Sequence, residues 1–110
     1  MNFVKGHVTG PSQVECSLGT LSIAVPPGVT VASPVMLSIP PEHVRLSSHN
    51  GSPASLSGTI ARKNSLGDAV LLEVEVNGVT LMAKLAGDVE FSVGERAAVE
   101  LSAHRWHVFP

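Results

Sequence analysis

Tyrosine is absent from this 110-residue sequence, and its other aromatic residues are three phenylalanines and one tryptophan. Proteins that bind single-stranded nucleic acid stack bases on exposed aromatics along a basic groove. Seven lysines and arginines, spread along a chain of net charge −2, do not make such a groove. The composition therefore argues against a nucleic-acid binder. One cysteine, Cys16, excludes an internal disulfide and fits a reducing compartment. No apolar run approaches the ~18 residues of a membrane span. The opening Met1-Asn2-Phe3-Val4-Lys5 lacks signal-peptide architecture. Two catalytic signatures are missing as well. No Gly-x-x-x-x-Gly-Lys-Ser/Thr occurs, so no loop is built to cradle a phosphate, and no Gly-x-Ser-x-Gly elbow presents a nucleophile. The sequence reads as a non-catalytic chain with no cofactor site.

Charged residues are also scarce, at 15% against 44% hydrophobic. A chain of this length fits one domain, or two small β-subdomains sharing a core. So much apolar surface must be buried, or kept for a partner. Valine (16) and leucine (11) lead the apolar set, a bias toward strands. Ten glycines and eight prolines fall between the apolar runs, as turn punctuation does.

The firmest local pattern covers 69–85. Val70, Leu72, Val74 and Val76 alternate with Leu71, Glu73 and Glu75, and Asn77-Gly78 follows. Asn-Gly between alternating runs is the strongest short hairpin signal. A two-residue turn predicts the pairs Val76–Val79, Val74–Leu81, Leu72–Ala83 and Val70–Leu85, all on one apolar face. On the other face Glu73 lies diagonal to Lys84. Further strands are predicted at 3–9, 13–16, 20–25, 34–39, 44–46, 56–63, 96–101 and 105–109. Residues 47–55 read as a connecting loop between two small β-subdomains. A helix over 88–102 competes on four-residue spacing, but Gly94 and the valine content oppose it. Many short strands at close spacing predict an all-β fold of antiparallel strands, a closed barrel or a sandwich.

Candidate chemistry is sparse. His104 and His107 point to opposite faces if on a strand, and no third ligand stands near. Glu73 and Glu75 read as a solvated outer face, and Asn50-Gly51-Ser52 as a turn. Cys16 has no adjacent His or Lys to activate it. Arg62, Lys63 and Asn64 close a strand ahead of Leu66-Gly67. Cationic and amide donors at such a bend form the one candidate anion-binding group, and strand-end solubility is the competing explanation.

Three segments, taken in order, resemble a known family. Met1-Asn2-Phe3 with Gly6 and Val8 is similar to the junction following the nucleotide-binding domain of ABC-importer ATPases of the maltose, glycerol-phosphate and polyamine type. Leu37-Ser38-Ile39-Pro40-Pro41-Glu42-His43-Val44-Arg45-Leu46 resembles their Ile-Arg-Pro-Glu-His-Val block, with Pro40 where relatives usually carry Arg. Gly58-Thr59-Ile60, Leu66-Gly67, the 69–85 hairpin, Val93-Gly94-Glu95 and His107-Val108-Phe109 then follow the TOBE (transport-associated OB) pattern. Asn64 stands where relatives often have Glu, and Pro110 where they often have Asp. The resemblance covers essentially residues 1–110. It implies an OB-like β-barrel module appended to an ATPase domain that this chain does not contain, with Met1 internal to a longer polypeptide. It also implies a cytoplasmic location at the inner membrane, a regulatory and dimerisation role, and indirect contact with membrane permease subunits. An alternative on the same fold is a module for a small oxyanion such as molybdate, tungstate or sulfate, to which Arg62, Lys63 and Asn64 would contribute.

Overall fold

The structure is a computed structural model, and it describes residues 1–48, 56–86, 91–101 and 106–109. Among the described residues ten strands form: β1 (Asn2–Gly10), β2 (Gln13–Cys16), β3 (Gly19–Ser22), β4 (Pro34–Ile39), β5 (Val44–Ser48), β6 (Leu56–Ser65), β7 (Ala69–Val76), β8 (Val79–Ala86), β9 (Arg96–Leu101) and β10 (His107–Phe109). A single 3-10 turn, Pro41–His43, stands between β4 and β5. The fold is all-β, as the sequence predicts. The 96–101 segment is a strand and not part of a helix. Of the loop expected at 47–55, Ser47 and Ser48 instead pair in β5. Its remaining residues, Asn50-Gly51-Ser52 among them, lie outside the described residues, as does His104.

Two five-stranded antiparallel sheets result. The first runs β10-β4-β1-β2-β3 and the second β5-β9-β6-β7-β8. The chain thus completes most of one sheet, builds the second, and returns to add β10 to the first. In the second sheet the outermost strands β5 and β8 lie against each other, and the 3-10 turn packs on β8. The sheet is therefore nearly closed, as an OB-like barrel is.

The 69–85 hairpin adopts the expected register: Val76–Val79, Val74–Leu81, Leu72–Ala83 and Val70–Leu85 are all paired. Asn77 and Gly78 both have positive φ, at 49° and 81°. That is the requirement of the tight turn whose twist matches its strands, and Asn and Gly tolerate it best. Six of these eight apolar residues are buried, and Val79 and Leu85 are packed at the margin of the core. They join Val4, Val8, Val14, Leu37, Ile39, Ile60 and Trp106 in one core lined by both sheets.

Strand β3 is shorter than the predicted 20–25. Beyond Ser22 the chain bonds to the β1–β2 turn instead: Ile23 N–H donates to Ser12 O (3.1 Å) and Val25 N–H to Pro11 O (3.4 Å). Pro26 and Pro27 then offer no N–H to extend a ladder.

Two polar side chains are buried among the described residues, Asn2 and Ser38. Positions 2, 4, 6 and 8 of β1 face inward, and the first is Asn2, only 5% exposed. Its side-chain amide reads the backbone of Met82 on β8 as another strand would. Met82 N–H donates to Asn2 Oδ1 at 2.7 Å, and Asn2 Nδ2 donates to Met82 O at 2.8 Å. The pair joins the two sheets across 80 residues of sequence and satisfies peptide groups at the edge of β8.

Candidate functional site

The basic group at 62–64 owes its position to an irregularity in β6. Up to Thr59, β6 pairs with β9 on one side and β7 on the other. Ile60 then bonds into the turn that leads to β9. Ile60 N–H donates to Glu95 O (2.9 Å) and Gly94 N–H to Ile60 O (2.7 Å), with Gly94 at a φ of 90°. The pairing with β7 skips a residue between Ile60 and Arg62. Such a bulge re-aims the side chains that follow it. Beyond it β6 runs on beside β7 alone, with 62–65 exposed.

The register divides the three candidates. Arg62 pairs with Glu73 and Asn64 with Leu71, both on the outer face, and Lys63 pairs with the buried Leu72. Because successive strand residues alternate, Arg62 and Asn64 share a face and Lys63 takes the other. Arg62 Nε lies 3.4 Å from Glu73 Oε2. Glu73 therefore pairs with Arg62 across the sheet, and it also lies diagonal to Lys84, as the sequence predicts. The Arg62 side chain is 82% exposed. An ion pair so open to water contributes little to stability, typically under ~1 kcal/mol.

Ala61, Arg62, Lys63, Asn64, Leu71, Glu73, Met82 and Val93 line a depression of about 560 Å³ on this outer face. Its apolar members come from three places: Leu71 on β7, Met82 on β8, and Val93 from the turn held on the bulge. The cationic and amide donors border them. Sequence reasoning found the donors but not the apolar floor, which only the register brings beside them.

A second surface lies on the outer face of the first sheet. One row runs Phe3–Ser38–His107 and the next Lys5–Met36–Phe109. Phe3 is 61% exposed and Phe109 49%, with half-buried Met36 between their strands. The C-terminal strand thus splits its apolar residues: Val108 turns inward, Phe109 outward, and Trp106 just before it joins the core.

Cys16 sits on the inner side of β2, opposite Gly6, and is half-buried. Burial raises its thiol pKa, with Glu15 adding to the effect and backbone hydrogen bonds at Leu18 and Gly19 opposing it. Among the described residues no three His, Cys, Asp or Glu side chains come together as a metal site would require. No described helix is long and apolar enough to cross a membrane.

These features define a class: an OB-like double-sheet β module that offers surfaces for binding. Residues 37–109 match the model of the TOBE domain, and the chain belongs to that family. No curated protein matches the sequence. Among solved structures, the chain is similar to the cytoplasmic molybdate-binding protein ModG in a form with molybdate bound. The TM-score is 0.81 at 15% identity, over 98% of this chain and 94% of that one. At that identity the likeness speaks for the fold, and function has to be argued from the site.

Proposed function

We propose that this TOBE module is the regulatory and self-association domain of an ABC-importer ATP-binding subunit, working in the cytoplasm at the inner membrane and without catalysis of its own. The observation that carries the reading is the outer face of the first sheet. Phe3 and Phe109 stand exposed there beside Met36, on strands whose other faces already supply the core. Exposed apolar clusters of this kind mark partner surfaces, and a two-fold contact using one patch twice is the commonest oligomer geometry.

The magnitude favours a weak association. Each phenylalanine leaves roughly 100 Å² accessible, about 2.5 kcal/mol if removed from water. Four rings in a two-fold contact give roughly 10 kcal/mol, against a cost of association of about 4–15 kcal/mol. A concentration-dependent monomer–dimer equilibrium follows, which an attached ATPase domain would strengthen by holding the modules close. Sedimentation equilibrium on the 110-residue chain tests this. The wild type should dimerise with rising concentration, and the Phe3→Ser/Phe109→Ser double variant should stay monomeric while keeping its circular dichroism spectrum. A monomeric wild type, or a double variant that associates unchanged, overturns the reading.

A second reading, that the module takes up a small anion, is supported by Arg62 and Asn64 on one face of the depression. Both donors border it, and one guanidinium nitrogen is already oriented by Glu73.

A further inference from the structure

The depression on the second sheet combines two chemistries. Arg62 and Asn64 offer hydrogen-bond donors two residues apart on one strand face. Leu71, Met82 and Val93 offer apolar surface next to them, and Val93 is 62% exposed. A compact, fully hydrated oxyanion uses the first and leaves the second in water.

The charges close by also favour a low ligand charge. Arg62 and Lys63 border the depression, and Lys84 faces outward beside Leu71. Glu73 is within the depression, and Glu75 lies one row along the same face of β7. Among the described residues these three cations and two carboxylates nearly cancel. A dianion held by Arg62 would meet the Glu73 carboxylate, which lies 3.4 Å from Arg62 Nε, at a repulsion that grows with the ligand's charge. A monoanion meets half of it. The Arg62 side chain is largely exposed, so its guanidinium can present donors to a planar two-oxygen acceptor.

We propose that the depression is a site for a small monocarboxylate with an apolar tail: the carboxylate on Arg62 and Asn64, the tail over Leu71, Met82 and Val93. The assignment rests on the second reading above and names its ligand class. Exposed ionic contacts contribute little singly, so occupancy is expected in roughly the millimolar range.

The protein provides its own reporter. Met82 contributes its side chain to the floor and its peptide group to Asn2. Movement of β8 under a ligand should therefore shift the Asn2 side-chain NH₂ resonances in a ¹H–¹⁵N spectrum.

The experiment is an NMR titration of the full 110-residue chain with hexanoate, acetate and molybdate in turn. Hexanoate should give saturable shifts at Arg62, Asn64, Leu71, Met82 and Val93. Acetate, which keeps the carboxylate and loses four carbons of tail, should bind about tenfold more weakly or less well still, since each buried CH₂ contributes. Arg62→Gln should weaken hexanoate at least fivefold, and Leu71→Ser should weaken hexanoate while leaving acetate unchanged. Both positions are on the outer face, and spectral dispersion checks that each variant is folded. If molybdate shifts these residues and hexanoate does not, the tail assignment fails and the anion reading stands. If none of the three ligands shifts them, both fail. Equal affinity for hexanoate and acetate also overturns the proposal.

Discussion

Replacing Asn2 should cost far more than its place near one end of the chain suggests. The residue is 5% exposed and makes two short hydrogen bonds to one peptide unit, at 2.7 and 2.8 Å. Alanine at this position leaves Met82 N–H and C=O without protein partners at a part-buried edge. Each such orphan costs about 1–3 kcal/mol, less where water can enter. The expected loss is therefore roughly 2–4 kcal/mol, out of the ~5–15 kcal/mol typical of a small domain. With about 2.1 cal/mol/K of unfolding entropy per residue, that is a fall in Tm of roughly 10–15 °C. Asn2→Asp separates the two bonds. It keeps an acceptor for Met82 N–H but sets a carboxylate oxygen against Met82 C=O. The protonated acid restores a donor, so folding should raise the pKa of this aspartate above its unfolded value of about 3.9. The folded state then binds more protons between those two values, and stability falls as pH rises through that window. Urea unfolding at pH 4 and pH 7, with wild type at each pH as reference, measures this. Asn2→Asp should lie nearer to wild type at pH 4 than at pH 7. If Asn2→Ala costs under ~0.5 kcal/mol, or Asn2→Asp tracks wild type at both values, the clasp is not structural and the reasoning is wrong.

Two further predictions come from tight or buried places in the strands. A β-carbon on Gly58 would stand 2.6 Å from Val74 Cγ1, 2.8 Å from Val76 Cγ2 and 2.9 Å from Glu75 O. Neither a branched methyl nor a strand carbonyl can move aside easily, so Gly58→Ala should destabilise by ~2–3 kcal/mol, and an unchanged urea midpoint would contradict that packing. The Cys16 thiol, raised mainly by burial, should react slowly with iodoacetamide near neutral pH, with its rate climbing at a higher pH than for the unfolded chain. Because folding holds this proton more tightly, stability should decline once pH passes the unfolded value, and Cys16→Ser should remove that component of the alkaline slope. An ordinary free-thiol rate in the native protein would refute the buried placement.

How far the sequence carried the fold depended on how local each signal was. The 69–85 hairpin was fully legible, because Asn77-Gly78 sets the turn and period-two alternation sets the face. Strand β3 was read too long. Ala24 and Val25 continue an apolar run, but a strand needs a ladder partner, and the N–H groups of Ile23 and Val25 bond to the β1–β2 turn instead. The role of Asn2 left a faint trace: a polar residue on the inward positions of an otherwise apolar β1. Its partner is 80 residues away, beyond the reach of any local pattern. Arg62, Lys63 and Asn64 were visible as donors. Their separation onto two faces was not, because the bulge after Ile60 carries no Gly or Pro signal of its own and arises from the turn at Ser92–Glu95 bonding to the strand. Trp106, Val108 and Phe109 all fall within the strand predicted at 105–109. Alternation within a three-residue edge strand divides that set between core and surface.

Met82 is where the two candidate surfaces meet. Its side chain floors the depression that Arg62 and Asn64 border, and its peptide group is held by Asn2. The residue after Asn2 is Phe3, on the opposite face of β1 and part of the exposed apolar patch. A ligand that moved β8 would therefore act, through one amide–peptide pair, on the strand that carries the proposed association surface. Such coupling is reciprocal: whatever a ligand does to dimerisation, dimerisation does to the ligand's affinity by the same factor. It also has a size limit, since the pair can transmit no more than the few kcal/mol it contributes. Asn2 alone stands between the two surfaces in this chain of contacts. Measuring hexanoate affinity at dilute and dimerising concentrations of wild type should then give two values, and weakening the clasp by Asn2→Asp at pH 7 should bring them together. Two equal affinities in the wild type would mean that the surfaces work independently, and that the clasp serves stability alone.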